Sequence, residues 1–189
     1  VATYQGSRLS GAGTGASDMR VLSQQLTNQG REAVAGNAEA FKAFKETKRS
    51  VESTIQDLQK SFGNEGAISG PLAKLSATWA PLGKNADQIV ASEAAVLALA
   101  GNADRFATQV PSLQAQLNEV VRAMSAGGAP SSQIYSALQQ VVLAGTMARR
   151  VTEIRAGGAG AATAGDAVGR DVVLFGQVLG GLRDGNPDL

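Results

Sequence analysis

The chain has 189 residues with 17 basic and 16 acidic side chains, and it contains neither cysteine nor histidine. These absences exclude a thiol nucleophile, a disulfide framework, the usual nitrogen and sulfur ligands of zinc, and an imidazole base. The net charge of +1 lacks the basic excess typical of nucleic-acid-binding proteins, so we expect no nucleic-acid partner. Glycine occurs 23 times while aromatic residues make up 4% of the chain, which favours closely packed helices over a β-sandwich.

The first predicted helix covers residues 3–35 and has an apolar face made mostly of small residues. The members of that face recur at steps of three and four: Leu9, Ala12, Ala16, Met19, Ser23, Leu26, Gly30 and Ala33. Four glycines between residues 6 and 15 each cost about 1 kcal/mol relative to alanine in a helix interior. Because the period continues through them, we expect the backbone of this helix to approach a neighbouring helix closely.

The clearest periodicity lies in residues 41–62, where mostly large apolar residues predict the packed face of a second helix. The members of that face are Phe41, Phe44, Lys48, Val51, Ile55, Leu58 and Phe62. Residues 63–66 have the composition of a helix C-cap and turn. The basic side chains of this helix are expected to form a solvated face: Lys42, Lys45, Lys48 and Arg49.

Residues 67–126 carry an apolar face whose members again fall at steps of three and four. Gly101-Asn102 and Pro111 could each interrupt a helix here. Because the phase of the apolar face survives across both, the pattern predicts one long, kinked helix rather than two. Trp79 occupies a core position of this face, and Glu93 is expected to be ion-paired or to lie at the rim of the core.

The strongest helix stop and restart is the sequence Gly-Gly-Ala-Pro-Ser-Ser at residues 127–132. A fifth helical segment follows, with Arg149 and Arg150 expected on a solvated face. A glycine- and alanine-rich stretch at residues 157–165 separates it from a last helix, which is expected to end at residues 184–187.

An internal repeat appears when the chain is shifted against itself. In one ungapped register residues 15–62 align with residues 136–183, with Glu32 on Glu153 and Gly36 on Gly157 among the identities. This register predicts a duplicated helix–turn–helix pair joined by the long helical region 67–126. We therefore expect an all-α fold, an elongated helical bundle of about six helices. It could be one long bundle or two stacked four-helix modules built from the duplicated pair.

Several stretches resemble one known family in order along nearly the whole chain. In the first helix these are Met19–Gln24 and Gly30–Asn37; further on they are Asn85–Glu93, Gly128–Pro130 and Gly169–Leu179. They resemble the PilJ family, the methyl-accepting chemotaxis transducers of type IV pili. On this resemblance, residues 1–189 are expected to form one periplasmic ligand-binding or sensor domain.

The resemblance also implies the setting of such a domain. It implies a domain between two transmembrane helices of a bacterial inner-membrane receptor that acts as a homodimer. The receptor passes its signal through a cytoplasmic coiled coil to a histidine kinase and so controls twitching motility, with pilin subunits as partners. The chain starts in mid-pattern at Val1, with no signal peptide and no apolar run of about 18 residues, as expected of a domain cut from such a receptor. No cofactor is implied.

The same first helix is similar to the ligand-contacting helix of nitrate and nitrite sensor kinases, which implies Arg20 as an anion-binding residue. The surrounding polar stripe has three- and four-residue spacing: Ser17, Arg20, Gln24, Thr27 and Arg31. No carboxylate lies three or four residues from Arg20, so its guanidinium could hold a planar anion with two hydrogen bonds. We therefore predict a ligand site formed by Arg20, Ser17 and Gln24. Gln25 stands where the family has a second arginine, and the alternative is that Arg20 is a solvated or interhelical structural residue.

Two functions remain open from the sequence. The first is a sensor module that detects a ligand or pilin and signals by small helix shifts. The second is a helical bundle that docks pilin or another periplasmic protein and has no small-molecule site. A polar pocket near Arg20 favours the first, and an exposed apolar patch without a pocket favours the second. We do not expect an enzyme, because no nucleophile or acid–base pair is visible.

Overall fold

The computed structural model of the chain describes the backbone of residues 2–185 and the side chains of residues 10–185. Residues 2–185 form six helices: α1 (Ala2–Val34), α2 (Ala38–Phe62), α3 (Gly66–Ala91), α4 (Glu93–Ala126), α5 (Ser131–Ala156) and α6 (Ala161–Asp184). No strand occurs in residues 2–185, so the prediction of an all-α helical bundle is confirmed. Val1, the side chain of Leu9 and residues 186–189, which include part of the predicted final stop, lie outside the described residues.

The chain divides into two compact units, Val1–Ala98 and Leu99–Leu189. The first, here called the N-terminal unit, contains α1, α2, α3 and the start of α4. The second, the C-terminal unit, contains the rest of α4 with α5 and α6. Each unit therefore has three long helices of this chain.

The long middle region is two helices, not the single kinked helix that the pattern predicts. The interruption falls at Ser92, between α3 and α4, whereas α4 passes through both Gly101-Asn102 and Pro111. Ser92 has φ −84° and ψ −2°, and its hydroxyl donates a 2.8 Å hydrogen bond to the Ile89 carbonyl oxygen. Serine side chains compete in this way with the helical hydrogen bonds of the backbone, which is the physical reason for a break at this position.

The large apolar residues of α2 form two core clusters in the N-terminal unit. The first cluster contains Met19, Val51, Ile55, Leu58, Phe62 and Leu72; the second contains Ala33, Ala40 and Phe41, with Ile89, Val96 and Leu97 packed against it. From the first cluster to the second, residue numbers rise along α1 and α3 and fall along α2. The helices α1 and α3 therefore run in the same direction, and α2 runs opposite to both.

The glycines of α1 allow the close packing that the sequence predicts, although not at every position. A Cβ atom built at Gly15 lies 2.7 Å from Leu58 Cδ2, which is far inside van der Waals contact. A Cβ atom at Gly30 lies 3.1 Å from Phe44 Cε2. At Gly13 nothing lies within 4 Å, so that glycine serves no close approach, and Gly6 lies outside the residues whose surroundings are described.

The two segments of the predicted repeat lie on α1–α2 in one unit and on α5–α6 in the other. Gly36 and Gly157, which align in the repeat, both follow the first helix of the pair and have positive φ angles of 97° and 73°. Their N–H groups donate to the carbonyl oxygens three residues earlier, Ala33 at 2.8 Å and Ile154 at 3.1 Å. The aligned glycines thus play the same part at both turns, since glycine adopts this backbone conformation without steric cost.

The C-terminal unit packs α5 on α6 through small residues. The buried side chains of these helices are Ala137, Gln140, Ala144 and Met147 of α5, with Ala164 and Ala167 of α6. Alanine therefore supplies most of the buried side chains of this helix pair.

Ion pairs also contribute to the C-terminal unit. Arg150 pairs with Asp171, and Arg155 pairs with Asp104 of α4. The expectation of a solvated face at Arg149 and Arg150 therefore holds for Arg149 only. Arg150 is partly buried and links α5 to α6, because a carboxylate of α6 lies opposite it.

Candidate ligand-binding groove

A groove of about 480 Å³ lies between α1 and α3 of the N-terminal unit. Its walls run from Met19 to Val34 on α1 and from Leu75 to Ile89 on α3, with Phe44 of α2 also lining it. At 1.5 Å per residue each wall is about 20 Å long. The groove exists because α1 and α3 both pack on α2, while α3 meets α1 at few positions.

Small residues open this space between the two core clusters. Ser23, Thr27 and Gly30 line the groove on α1, where larger side chains would close it against α3. On α3, Gly83 is buried beside Trp79, and a Cβ atom at Gly83 would lie 3.3 Å from the indole Nε1. The indole ring therefore lies along α3 and forms part of the wall. Trp79 also packs against the first core cluster, as its predicted core position requires.

Among the described side chains, Arg31 is the one charged residue that lines the groove. No carboxylate belongs to the lining, and within residues 10–185 Arg31 has no ion pair and no side-chain hydrogen bond. The Ser23 and Thr27 hydroxyls donate to the Met19 and Ser23 carbonyl oxygens at 2.7 and 3.0 Å, so their own oxygens remain able to accept hydrogen bonds. The groove therefore combines apolar walls with an arginine, Arg31, whose guanidinium has no partner among residues 10–185. Arg31, Ser23 and Thr27 are all exposed.

The residues predicted as the ligand site do not line this groove. Ser17, Arg20 and Gln24 are exposed on α1, and none of them belongs to the lining. Two other members of the predicted polar stripe, Thr27 and Arg31, do line it. Arg20 also has no partner within the described side chains, so the site at Arg20, Ser17 and Gln24 stays a prediction. The sequence pattern includes Arg31 in the same polar stripe. It gives no indication of which α3 residues form the opposite wall of the groove.

Ion pairs link α2 to α3 and to the start of α4. Lys45 Nζ lies 3.0 Å from Glu93 Oε2, and Lys48 Nζ lies 2.9 Å from Asp87 Oδ1 and 2.7 Å from Glu52 Oε1. The hydrogen bond to Glu52, followed by that to Asp87, raises the pKa of Lys48 above its ordinary value, although burial opposes this shift.

These contacts settle two expectations about charged residues of the N-terminal unit. Glu93 is paired, as expected. Lys45 and Lys48 do not belong to a purely solvated face, because carboxylates of the next helices lie opposite them. Lys42 and Arg49 are exposed.

The C-terminal unit has a separate apolar surface. A second groove of about 540 Å³ is lined by Tyr135, Leu138 and Val142 of α5 and by Leu174 of α6. Each of these four side chains is 43% to 70% exposed.

Within the described residues, no cluster of His, Cys, Asp or Glu could hold a metal ion, and no helix is both long and apolar enough to cross a membrane.

Comparison with known proteins indicates the class of signalling protein to which this all-helical chain is similar. No protein-family model matches the chain. A protein of Alcanivorax borkumensis named "Putative methyl-accepting chemotaxis AlkN" is 36% identical over 175 residues, which are 92% of this chain and 25% of that protein. "Protein PilJ" of Pseudomonas aeruginosa is 36% identical over 179 residues, which are 90% of this chain and 26% of that protein.

These similarities confirm the resemblance to the PilJ family that the sequence motifs indicate. The chain is similar to a segment of chemoreceptor-type signalling proteins, and it spans about a quarter of the length of the curated relatives it matches.

Proposed function

We propose that this chain is the sensory domain of a chemoreceptor of type IV pilus motility, and that the groove between α1 and α3 is its ligand site. The observation that carries this proposal is the exposed, unpaired Arg31 that lines an apolar groove, within a segment 36% identical to a chain named for chemotaxis. Ligand sites in proteins are commonly concave and apolar with a few polar groups that orient the ligand.

The arrangement of the N-terminal unit suggests how binding is converted into a signal. Both α1 and α3 are anchored on α2 by the two core clusters, and the ion pair of Lys48 with Asp87 also links α3 to α2. A ligand that touches both walls of the groove stabilises one spacing of α1 relative to α3. Its differential affinity for two such spacings is the free energy available for signalling. Shifts of a helix by 1–2 Å are typical of this kind of transition.

The setting of the domain belongs to the same proposal. The domain is periplasmic, lies between two membrane-spanning helices of an inner-membrane receptor, and acts in a homodimer. The receptor signals to a histidine kinase that controls twitching motility, and it is not an enzyme. The names of the two relatives and the motifs shared with the PilJ family support this setting.

A pair of variants of the full-length receptor tests the proposal. Thr27→Phe places a large side chain in the groove, whereas Gln25→Phe places the same side chain at an exposed position of α1 outside the lining. We expect Thr27→Phe to change the twitching zone and the methylation of the receptor, and Gln25→Phe to leave both at the wild-type level. Circular dichroism of the 189-residue variants establishes that both remain helical. Equal behaviour of the two variants in cells would refute the groove as the sensory site.

A second candidate function is supported by the exposed apolar surface of the C-terminal unit. Tyr135 is 63% and Val142 70% exposed, and apolar patches of this kind mark protein-docking surfaces. On this alternative the chain docks pilin or another periplasmic protein without sensing a small molecule. Val142→Asp would then abolish binding of purified pilin, and Gln177→Asp, on an exposed part of α6 outside the patch, would not. Unchanged binding by Val142→Asp argues against this alternative.

A further inference from the structure

We infer that the groove between α1 and α3 binds an amphipathic monoanion, a carboxylate carried by an unbranched apolar chain. This inference rests on the proposed function, for which it names the ligand class. The charge of the lining is the first reason. Arg31 supplies a positive charge, and among residues 10–185 the lining contains no carboxylate to neutralise it or to receive a cationic ligand. A carboxylate is the complementary group, because a guanidinium donates two parallel hydrogen bonds to it.

The shape and polarity of the walls are the second reason. The groove follows about four turns of helix, and most of its surface is formed by aliphatic and aromatic side chains such as Leu26, Leu75 and Trp79. A small inorganic anion would occupy only the surroundings of Arg31 and leave these walls in contact with water. An apolar chain attached to the anion removes that surface from water, which is favourable in proportion to the area covered.

The distribution of donors gives the ligand a direction. Arg31 lies two residues before Ala33 of the second core cluster, and Asn85 lies about one turn before Ile89, which packs on the same cluster. Both side chains therefore line the end of the groove near that cluster. Within the described residues neither has a hydrogen-bond partner, so both can donate to a carboxylate. The wall near the first cluster is formed by Met19, Leu75 and Trp79, which fit the apolar chain.

The chain has a single tryptophan, and its position provides the assay. Because Trp79 lines the groove, its fluorescence reports an apolar chain that enters. The probes are decanoate, decanol with the same chain but no charge, decyltrimethylammonium with the opposite charge, and acetate as the head group alone. We expect decanoate to shift the emission of the 189-residue protein to shorter wavelength at the lowest concentration of the four, with binding constants measured by calorimetry.

Four variants locate the site. Arg31→Gln is expected to weaken decanoate binding about tenfold while leaving decanol unchanged, since it removes one charge-assisted interaction. Arg49→Gln, at an exposed arginine of α2 outside the groove, is the control and is expected to change neither. Arg20→Gln tests the competing site predicted from the sequence. Thr27→Phe is expected to abolish binding of both probes by filling the groove.

The inference is overturned if decanoate does not bind, or if decyltrimethylammonium binds as tightly. It is also overturned if Arg31→Gln has no effect, if Arg20→Gln has the larger effect, or if Thr27→Phe still binds. Its failure is distinguishable from failure of the proposed function. If Thr27→Phe alters twitching but decanoate does not bind, only the ligand class is wrong. If Thr27→Phe and Gln25→Phe behave alike in cells, the proposed function fails whatever the probes do.

Discussion

The packing of α1 on α2 predicts that two alanine substitutions, two positions apart on one helix, differ in their effect on stability. At Gly13 nothing lies within 4 Å of a new Cβ atom, whereas at Gly15 a new Cβ atom lies 2.7 Å from Leu58 Cδ2 and 3.3 Å from Leu58 Cγ. Both substitutions bring the same gain in helix propensity, about 1 kcal/mol. Gly15→Ala also overpacks a site next to the first core cluster, which costs about 1–3 kcal/mol.

The propensity gain cancels when the two variants are compared. The free energy of unfolding of Gly13→Ala is therefore expected to exceed that of Gly15→Ala by the overpacking cost, about 1–3 kcal/mol. Gly13→Ala should be more stable than the wild type by up to about 1 kcal/mol. Urea denaturation followed by Trp79 fluorescence measures this difference in the N-terminal unit, because the only tryptophan lies there.

A double-mutant cycle identifies the cause of the difference. In a Leu58→Ala background the atoms that a Cβ at Gly15 meets are absent, so Gly15→Ala should become as favourable as Gly13→Ala. Equal stabilities of the two single variants in the wild-type background would refute the reasoning, because they would show that Leu58 yields without cost. If Gly15→Ala remains less stable than Gly13→Ala in the Leu58→Ala background, a contact other than that with Leu58 causes the difference.

Two further predictions concern α2 and its contacts. Asn37→Ala removes the side-chain oxygen that accepts a 3.1 Å hydrogen bond from the Ala40 N–H at the start of α2, and should lower the free energy of unfolding by about 1 kcal/mol in urea denaturation. Asn64→Ala, at an exposed turn position, is the control, and an equal loss there would contradict a capping role for Asn37. Since the folded-state pKa of Lys48 is raised above 10.5, its contribution to stability is fully present below that value and is lost as the pH rises through the raised pKa. Thermal unfolding between neutral and strongly alkaline pH should therefore show a smaller alkaline loss in Lys48→Met than in the wild type, and parallel curves would contradict this.

Local sequence patterns correctly predict the features that depend on residues within a single helix or at its end. The positions of α2 that the three- and four-residue spacing selects as apolar are buried, including Phe41, Phe44 and Val51. The positive-φ glycines at Gly36 and Gly157 lie where composition predicts helix ends. These features depend on residues within a turn or two of each other, and so the sequence contains them directly.

The break between α3 and α4 at Ser92 does not follow from helix propensities. Gly101-Asn102 and Pro111 are stronger helix breakers by propensity than Ser92, yet α4 continues through both. Ser92 ends α3 through one hydrogen bond from its hydroxyl to Ile89. Serine makes such bonds in only some helices, so its identity alone does not predict a break.

The candidate site marks the division between what the sequence determines and what the tertiary structure decides. The sequence places Arg20 and Arg31 on one stripe of α1, eleven residues and therefore three turns apart, and both lack a partner within their helix. Nothing in the stripe distinguishes them. Only the packing of α3 on α2 does so, because it brings Asn85 to the same end of the groove as Arg31 and leaves Arg20 outside the groove. The groove is a space that three helices leave between them, and its position depends on contacts between residues far apart in the chain, which the periodicity of a single helix does not encode.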